Sequence, residues 1–298
     1  MLYIGKEHVT DNLSPHNPPA ARCRSGETVV FQTRDCYDDR LHADGTVDHP
    51  ELALENPATG PLYIEEAAPD DVLKVKIEKI DLNPTGLMRA STSAGAFCDL
   101  VEYRKVRQFD LTGGWVEFTD RLRFPVDTMI GVIGTAPRTD TVMTHTPGAH
   151  GGNMDCNKIV AGSTLYLPVN VPGALLSMGD LHALMGDGEV MICGLETGGE
   201  VTVTVEVIKG FPMPTPALAC RGSFYSIQSA NTLDQASRLA SRAMLQFLQQ
   251  TTPMDVYDCA MLLSLKGDLS VCQIVDPQLT VRMGIQQSIL DAYGVTLP

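Results

Sequence analysis

The sequence predicts a mainly β fold: a β-sandwich or barrel-like body followed by a small C-terminal α+β unit. Apolar and charged residues alternate at 73–79 (LKVKIEK), and valines alternate with polar residues at 201–207 (VTVTVEV), as in half-buried strands. Turn-forming clusters such as NPATGP at 56–61 and ETGGE at 196–200 separate such segments at the spacing typical of sandwiches and barrels. We therefore predict a β-rich body over residues 1–215.

The C-terminal part has helical patterns. Three prolines at 211–216 mark a connector, because proline interrupts helices and central strands. Thr232 has the position of the N-cap of a helix whose apolar residues recur at helical period. A second helix is predicted to begin with Thr252 as its N-cap and to end near Gly267, before a strand in DLSVCQIVD. Residues 216–298 therefore form the predicted α+β unit.

One predicted strand contains a proline. Apolar residues alternate from Leu165 to Val171, with Pro168 between them. Because proline cannot donate a backbone hydrogen bond, it confines a strand to a sheet edge or a bulge. That edge and the amphipathic C-terminal helix offer surfaces for a two-fold homodimer, the commonest assembly.

Composition excludes several classes of partner. The chain has 298 residues, 44% of them hydrophobic, which is enough to bury a sizeable core. It carries 36 acidic against 22 basic residues, a formal charge of −14, and no basic run, so nucleic acids and anionic membranes are poor partners. Without an N-terminal apolar segment or a long apolar run, a soluble cytoplasmic protein is expected. Eight widely spaced cysteines indicate reduced, mostly buried thiols.

Carboxylates and imidazoles concentrate between His150 and Glu196. In HGGNMD, two glycines allow the flanking His150 and Asp155 to bend toward a common point. In GDLHALMGDGE, Asp180 and His182 are two residues apart, which places both on one face of a strand, and Asp187 and Glu189 repeat this spacing. Neutral imidazole and ionised carboxylate are common ligands of divalent metals. This stretch is therefore the predicted active site.

The same stretch resembles a known family. The segments TPGAHGGNMD, STLYLPVNVPGALLSMGD and LHALMGDGEVMICGLE are similar to the acetamidase/formamidase family, and weaker similarity lies at 31–39 and 261–277. The resemblance implies a hydrolase of small linear carboxamides such as formamide or acetamide, which releases a carboxylate and ammonia. It also supports Asp35, which follows the strand-like TVVFQT, as a contributor from outside the stretch.

The predicted metal site combines these groups. Asp35, His150, Asp155 and His182 are candidate ligands, and Asp180 is expected to orient a histidine by accepting its second ring N–H. The two imidazoles favour zinc, whereas the excess of carboxylates favours calcium or magnesium. His145 is a reserve ligand.

The predicted catalytic carboxylates are Glu189 and Asp187. Glu189 would take a proton from water and return it to the departing nitrogen. The glycines around Asp187 leave open that this segment is only a turn. Met185 stands where the resemblance implies glutamine, which shifts the expectation toward a larger or more apolar amide.

Two other functions remain open. A metal-stabilised β-sandwich could bind a carbohydrate or protein through its loops without catalysis. A cysteine-dependent amidase would use Cys36 or Cys156, although Lys158 is the only lysine near either in sequence.

Overall fold

A computed structural model describes the whole chain, residues 1–298, as two large β-sheets with three α-helices. The strands are β1 (Leu2–Ile4), β2 (Val9–Thr10), β3 (Asn12–Leu13), β4 (Ala21–Cys23), β5 (Thr28–Thr33), β6 (Ala58–Ile64), β7 (Val72–Leu82), β8 (Thr85–Ala90), β9 (Lys105–Asp110), β10 (Trp115–Thr119), β11 (Leu122–Pro125), β12 (Met129–Gly134), β13 (Val142–Met143), β14 (Gly151–Asn153), β15 (Thr164–Pro168), β16 (Leu176–His182), β17 (Glu196–Thr197), β18 (Gly199–Ile208), β19 (Ala217–Cys220), β20 (Ser223–Ala230), β21 (Asp268–Gln273) and β22 (Leu279–Gln286). The helices are α1 (Leu233–Thr251), α2 (Val256–Lys266) and α3 (Gln287–Asp291), and a 3₁₀ turn spans Pro50–Leu52.

The strands form two nine-stranded sheets and two small ribbons. The first sheet has the order β1-β5-β18-β7-β15-β19-β20-β22-β21. The second has the order β14-β12-β16-β17-β8-β9, and β6 joins it by pairing with β16, β2 and β4. The ribbons are β10–β11 and β3–β13. The mainly β prediction is confirmed.

The two sheets share one apolar core. The predicted alternation of β7 is confirmed, because Leu73, Val75 and Ile77 are fully buried. They belong to a cluster of 32 buried residues that also contains Ile130 of β12 and Met178 of β16, from the second sheet. Side chains from both sheets therefore fill one layer, which is the arrangement of a sandwich.

The C-terminal residues extend the first sheet. Strand β19 pairs with β15, so the chain beyond the 211–216 connector continues the same sheet. Helix α1 begins as predicted, because the Thr232 side chain accepts a hydrogen bond from the Gln235 N–H at 3.2 Å. Its apolar face packs with β20 and β22 in a second core of 16 buried residues. The division into 1–215 and 216–298 stays a prediction.

The predicted start of the second helix is wrong. Helix α2 begins at Val256 with Asp255 as its N-cap, and the Asp255 carboxylate accepts the Asp258 N–H at 2.8 Å. Thr252 instead ends α1, because its N–H bonds the Leu248 carbonyl. No helix of the chain combines the length and the apolar character that crossing a membrane requires.

The predicted edge position of the proline-bearing strand is also wrong. β15 lies inside the first sheet, between β7 and β19. Its pairing with β19 ends at Tyr166, whereas Pro168 pairs only with Val72 of β7. The proline is tolerated because the sheet is locally one strand narrower there. The homodimer prediction therefore loses this edge as a supporting surface.

Candidate active site

A histidine and three carboxylates meet at the end of β16. The Nε2 atom of His182 lies 3.1 Å from a Glu196 oxygen, 3.3 Å from Asp180 and 3.9 Å from Asp155. Strand β16 carries Asp180 and His182, and its pairing with β17 places Glu196 directly opposite His182. Asp155 follows the short strand β14. All four side chains are almost completely buried.

Two further carboxylates complete this group. Glu189, Asp155 and His182 place their ligand atoms within 4.8 Å of one another. Asp276 comes from the loop between β21 and β22, contacts Asp155 and accepts a hydrogen bond from the Asn153 amide at 3.0 Å. We call these side chains the acid cluster: Asp155, Asp180, His182, Glu189, Glu196 and Asp276.

Two members of the acid cluster, Glu196 and Asp276, had no predicted role. Glu196 lies in the predicted stretch, and Asp276 lies in the weakly similar segment 261–277. No pattern in the neighbouring sequence predicts that either residue lies in the site. Asp276 also means that the predicted C-terminal unit contributes to the site, which was expected in residues 1–215 alone. Only the spacing within 150–196 was a usable signal.

The acid cluster and the nearby Cys36 offer two groups of ligands for a metal ion. One is Asp155, His182 and Glu189; the other is Cys36, Asp180 and Glu196, whose ligand atoms also lie within 4.8 Å of one another. Both oxygens of Asp155 and one oxygen of Glu189 are buried without a hydrogen-bond partner. Buried carboxylate oxygens without donors are costly, and a cation would satisfy them. The residues therefore fit a divalent ion.

Glycines keep the cluster open. A Cβ at Gly131 of β12 would lie 2.5 Å from an Asp155 oxygen and 2.6 Å from an Asp180 oxygen. A Cβ at Gly194 would lie 2.5 Å from Nδ1 of His182. These distances are too short for any real side-chain carbon. The missing side chains thus leave the space into which the carboxylates and the imidazole point.

Three cluster residues have a backbone conformation that is unfavourable for their type. The φ angles of Asp155, Asp180 and Glu189 are 42°, 57° and 46°. Non-glycine residues rarely adopt this left-handed conformation, and it concentrates at functional sites where surrounding structure enforces it. The fold therefore stabilises a costly arrangement of these particular carboxylates.

Crowding of acids in a buried site shifts their protonation. Burial, together with the charge of the neighbouring Asp180, raises the pKa of Asp155 to about 7 and that of Glu196 to about 8. Burial, followed by the charge of Asp155, also raises the pKa of Glu189 well above its usual value. Burial alone would lower the pKa of His182, but Glu196 and Asp180 raise it well above normal. The cluster as a whole therefore attracts positive charge.

Two of the predicted ligands lie outside both groups. One oxygen of Asp35 accepts the backbone N–H of Tyr37 at 2.9 Å and of Asp39 at 2.7 Å, and burial raises its pKa to about 6. His150 is buried against its own glycine-rich loop, and burial lowers its pKa to about 4. The structure brings together Asp155, Asp180 and His182 from the predicted ligand set.

Two predicted roles meet a different geometry. Asp187 does not reach the cluster, because it forms a two-pronged ion pair with Arg282 at 2.9 and 2.6 Å. Asp180 approaches Nε2 of His182, the nitrogen that also faces Asp155 and Glu196, whereas Nδ1 has no partner. Asp180 therefore does not hold the ring from its opposite side.

A cavity of about 440 Å³ leads to the cluster. Its floor includes Asp180, Glu189, Glu196 and Asp276. The lining also includes the apolar side chains of Leu41, Val47, Ala53, Leu54, Ile192, Val275 and Pro277. His145, the predicted reserve ligand, lies in the wall 3.7 Å from Glu55 and not in either ligand group. A small molecule can thus reach carboxylates that are otherwise buried.

Comparison with known proteins agrees with the sequence resemblance. The sequence model of the Acetamidase/Formamidase family matches residues 5–147 and 139–231. The crystal structure of an acetamidase from Bacillus halodurans is 41% identical, covers 99% of this chain and 100% of its own, and superposes with a TM-score of 0.95. That of a predicted acetamidase/formamidase from Thermoanaerobacter tengcongensis is 37% identical, with 99% of both chains covered and a TM-score of 0.95.

Curated relatives are longer than this chain. A putative formamidase from Schizosaccharomyces pombe is 28% identical over an alignment of 258 residues, and the match covers 65% of this chain and 63% of that protein. This chain therefore spans less than two thirds of the length of that relative.

Proposed function

This chain belongs to the acetamidase/formamidase family, and on that premise we propose that it is a metal-dependent amidohydrolase of small linear carboxamides. The products are the carboxylate and ammonia. The observation that carries the proposal is the convergence of Asp155, His182 and Glu189 in one buried group that is reached by a cavity. A site with unpaired carboxylates and room for a ligand is suited to catalysis rather than to a closed structural ion.

Asp155 and His182 would hold the metal, with the nearby Asp180 and Glu196 contributing further oxygens. Zinc is the preferred ion because of the imidazole, whereas the many carboxylates also suit calcium or magnesium. When bound, the cation would polarise the amide carbonyl and lower the pKa of water toward roughly 7.

Glu189 is the proposed general base. Its carboxylate lies beside Asp155 and His182, and one of its oxygens is free of other hydrogen bonds. Burial and the charge of Asp155 favour the protonated form of Glu189, whereas a cation bound beside it would favour the carboxylate, which could then take a proton from the attacking water. It would then return that proton to the leaving nitrogen. Asp187 would act indirectly, because its ion pair with Arg282 fixes the loop that carries Glu189.

The decisive experiment measures ammonia release from formamide, acetamide and propionamide before and after chelation. We expect turnover that chelation abolishes and that one divalent ion restores. His182→Asn should lose bound metal, as measured by inductively coupled plasma mass spectrometry. His150→Asn is the matched control, because His150 lies outside both ligand groups. Metal-bound, folded protein that releases no ammonia from any amide would favour the non-catalytic binding function.

A thiol-dependent reaction is the second candidate, because Cys36 lies among Asp180 and Glu196 in the cavity wall. Burial and these carboxylates raise its pKa well above the usual value, which keeps the thiol neutral and weakens it as a nucleophile. Full activity of Cys36→Ala would exclude this candidate. Turnover that survives complete metal removal but not Cys36→Ala would replace the proposal with it.

Assembly and compartment remain predictions. The homodimer expected from the sequence is tested by light scattering of the purified protein, which reports its molar mass directly. A mass close to 32.2 kDa would contradict it.

A further inference from the structure

The cavity is larger than formamide or acetamide requires. An amide of four non-hydrogen atoms occupies on the order of 100 Å³, if each atom takes somewhat less than the share of a water molecule. The cavity has about 440 Å³, within the range of roughly 300–1,000 Å³ that is usual for larger ligands. Space for a larger substrate therefore remains in the cavity beyond the reacting amide. The residues that line this space indicate the chemistry of the rest of the substrate.

Two polar groups in the cavity wall have no partner in the protein. The Nε atom of Arg89 and the hydroxyl of Tyr37 are both buried and make no hydrogen bond. The Arg89 guanidinium lies over the Tyr37 ring, 5.1 Å from its centre, so the two donors are neighbours. The Tyr37 hydroxyl also lies beside the Cys193 thiol, which is only a weak acceptor. Buried donors without acceptors are rare and need an explanation.

Arg89 has no carboxylate partner, although the chain is rich in acidic residues. Acidic residues outnumber basic ones, 36 to 22, and the partly buried Arg34 and Arg40 both pair with Asp38. Neither Arg89 nor Arg104, the two arginines of the cavity wall, has an ion-pair partner anywhere in residues 1–298. The planar guanidinium is suited to two-pronged binding of a carboxylate.

Arg89 is held firmly at its position. Its residue pairs with Val106 in the β8–β9 ladder. Its backbone also bonds the Cys193 thiol, with N–H to sulfur at 3.3 Å and sulfur to carbonyl at 3.2 Å. Holding the backbone in this way limits the positions that the guanidinium can reach, so a ligand group meets it with little loss of entropy.

The distance from Arg89 to the acid cluster is set by strand geometry. Glu196 of the cluster is directly opposite Leu87 of β8, and Arg89 is two residues further along the same face. Two strand residues span roughly 7 Å. A ligand that joins an amide to an anionic group through two or three methylene groups can therefore reach both ends.

We propose that Arg89, together with the Tyr37 hydroxyl and with Arg104 at the rim, binds a carboxylate of the substrate. The preferred substrates are then amides that carry a carboxylate, such as the monoamides of short dicarboxylic acids. This inference rests on the proposed amide hydrolysis. The acid cluster repels the carboxylate end of such a molecule and Arg89 attracts it, so the amide end is directed toward the cluster. Among the lining residues, the one acid outside the acid cluster is Glu55, which is 77% exposed and thus screened by solvent.

The test compares succinamate with 4-methylpentanamide, which has the same shape but an uncharged isopropyl group in place of the carboxylate. We expect kcat/KM for succinamate to exceed that for the neutral amide by about 10- to 100-fold, the usual effect of charge-assisted hydrogen bonds. Arg89→Gln should reduce this ratio to near one, Arg89→Lys should restore part of it, and Tyr37→Phe should reduce it less. Arg238→Gln, on the exposed face of α1, is the matched control and should keep the ratio.

The outcomes separate the two proposals. Equal kcat/KM for succinamate and its neutral analogue, or a ratio that Arg89→Gln leaves unchanged, overturns the carboxylate site while acetamide turnover still supports amide hydrolysis. If no amide is hydrolysed, the proposed function fails, and calorimetric titration with succinamate decides on the carboxylate site. Binding that Arg89→Gln abolishes then supports it, and no binding overturns it.

Discussion

Two residue pairs with identical spacing have different fates in this fold. Asp180 and His182 lie on β16, and both reach the acid cluster. Asp187 and Glu189 lie in the loop that follows, where Glu189 enters the cluster and Asp187 turns away to Arg282. Spacing by two residues thus predicts a shared destination where neighbouring strands hold the segment, and it fails where a loop follows contacts of its own.

The contacts that separate the second pair come from the C-terminal residues. Gly188, between Asp187 and Glu189, donates to the Cys272 carbonyl at 2.8 Å and accepts from the Ile274 N–H at 3.1 Å. Arg282 adds the ion pair with Asp187. This loop is therefore attached to β21 and β22, and its geometry depends on residues far away in sequence.

The largest expected effect distinguishes the two loop carboxylates. Glu189→Gln should lower kcat by about 10²- to 10⁴-fold, because it removes the proposed proton acceptor while keeping the size of the side chain. Asp187→Asn, its neighbour at the same spacing, should lower kcat by less than about tenfold. Steady-state ammonia release from acetamide measures both.

Metal content shows which role Glu189 has. If Glu189→Gln retains the bound ion, the lost activity reflects proton transfer. If the ion is lost as well, Glu189 is a ligand, and the base must be sought elsewhere in the cluster. A larger loss of kcat in Asp187→Asn than in Glu189→Gln would reverse the assignment.

The two buried histidines also differ, because His182 has acidic neighbours whereas only burial shifts the pKa of His150. His150 stays neutral in the folded protein because burial lowers its pKa to about 4, whereas the unfolded chain binds a proton below about 6.5. Unfolding then takes up a proton, so stability falls as the pH decreases from about 6.5 toward 4. In His150→Asn, the free energy of unfolding should therefore decrease over this pH range by up to about 3 kcal/mol less than in the unmodified protein. Urea denaturation at several pH values measures it, and parallel curves for the two proteins would refute it.

A smaller effect is expected from crowding His182. Gly194→Ala places a methyl group 2.5 Å from Nδ1 of the ring, so the imidazole must move away from its neighbours. Displacing one ligand should cost about 10- to 100-fold in metal affinity or activity. Gly186→Ala is the matched control in the same loop, because a Cβ there meets nothing within 4 Å. Equal metal affinity in the two variants would mean that the ring position is not critical.

The smallest effect concerns stability. Asp187→Asn leaves the Arg282 side chain, which is only 4% exposed, without its charged partner. Because Asp187 itself is 42% exposed and solvent screens it, we expect a loss of only about 1–2 kcal/mol in the free energy of unfolding. Asp70→Asn, in an ion pair with Arg138 that is exposed on both sides, should cost less than about 1 kcal/mol. Urea denaturation compares them, and equal losses would show that burial of Arg282 adds nothing.

Local patterns predicted the elements whose energetics are local. The alternation in β7 and β18 and the cap of α1 depend on neighbours within a few residues, and these predictions are confirmed. The predicted start of α2 was wrong because two residues that can cap a helix lie three positions apart. The Asp255 side chain accepts the Asp258 N–H, whereas Thr252 continues the last turn of α1. The predicted edge position of β15 was wrong because a proline indicates only that one backbone hydrogen bond is missing. It does not indicate how many strands lie beside the rest of the strand.

By itself the sequence determined the mainly β class, the family resemblance and the stretch that holds Asp155, Asp180, His182 and Glu189, because these follow from periodicity and from the chemistry of side chains close together in the chain. The tertiary structure alone decided that Glu196 and Asp276 join them, that Asp187 pairs with Arg282, and that Arg89 and Tyr37 share one cavity wall. These are contacts between segments that only the folded chain brings together. Their free energy depends on burial and on sheet register, which no local pattern records.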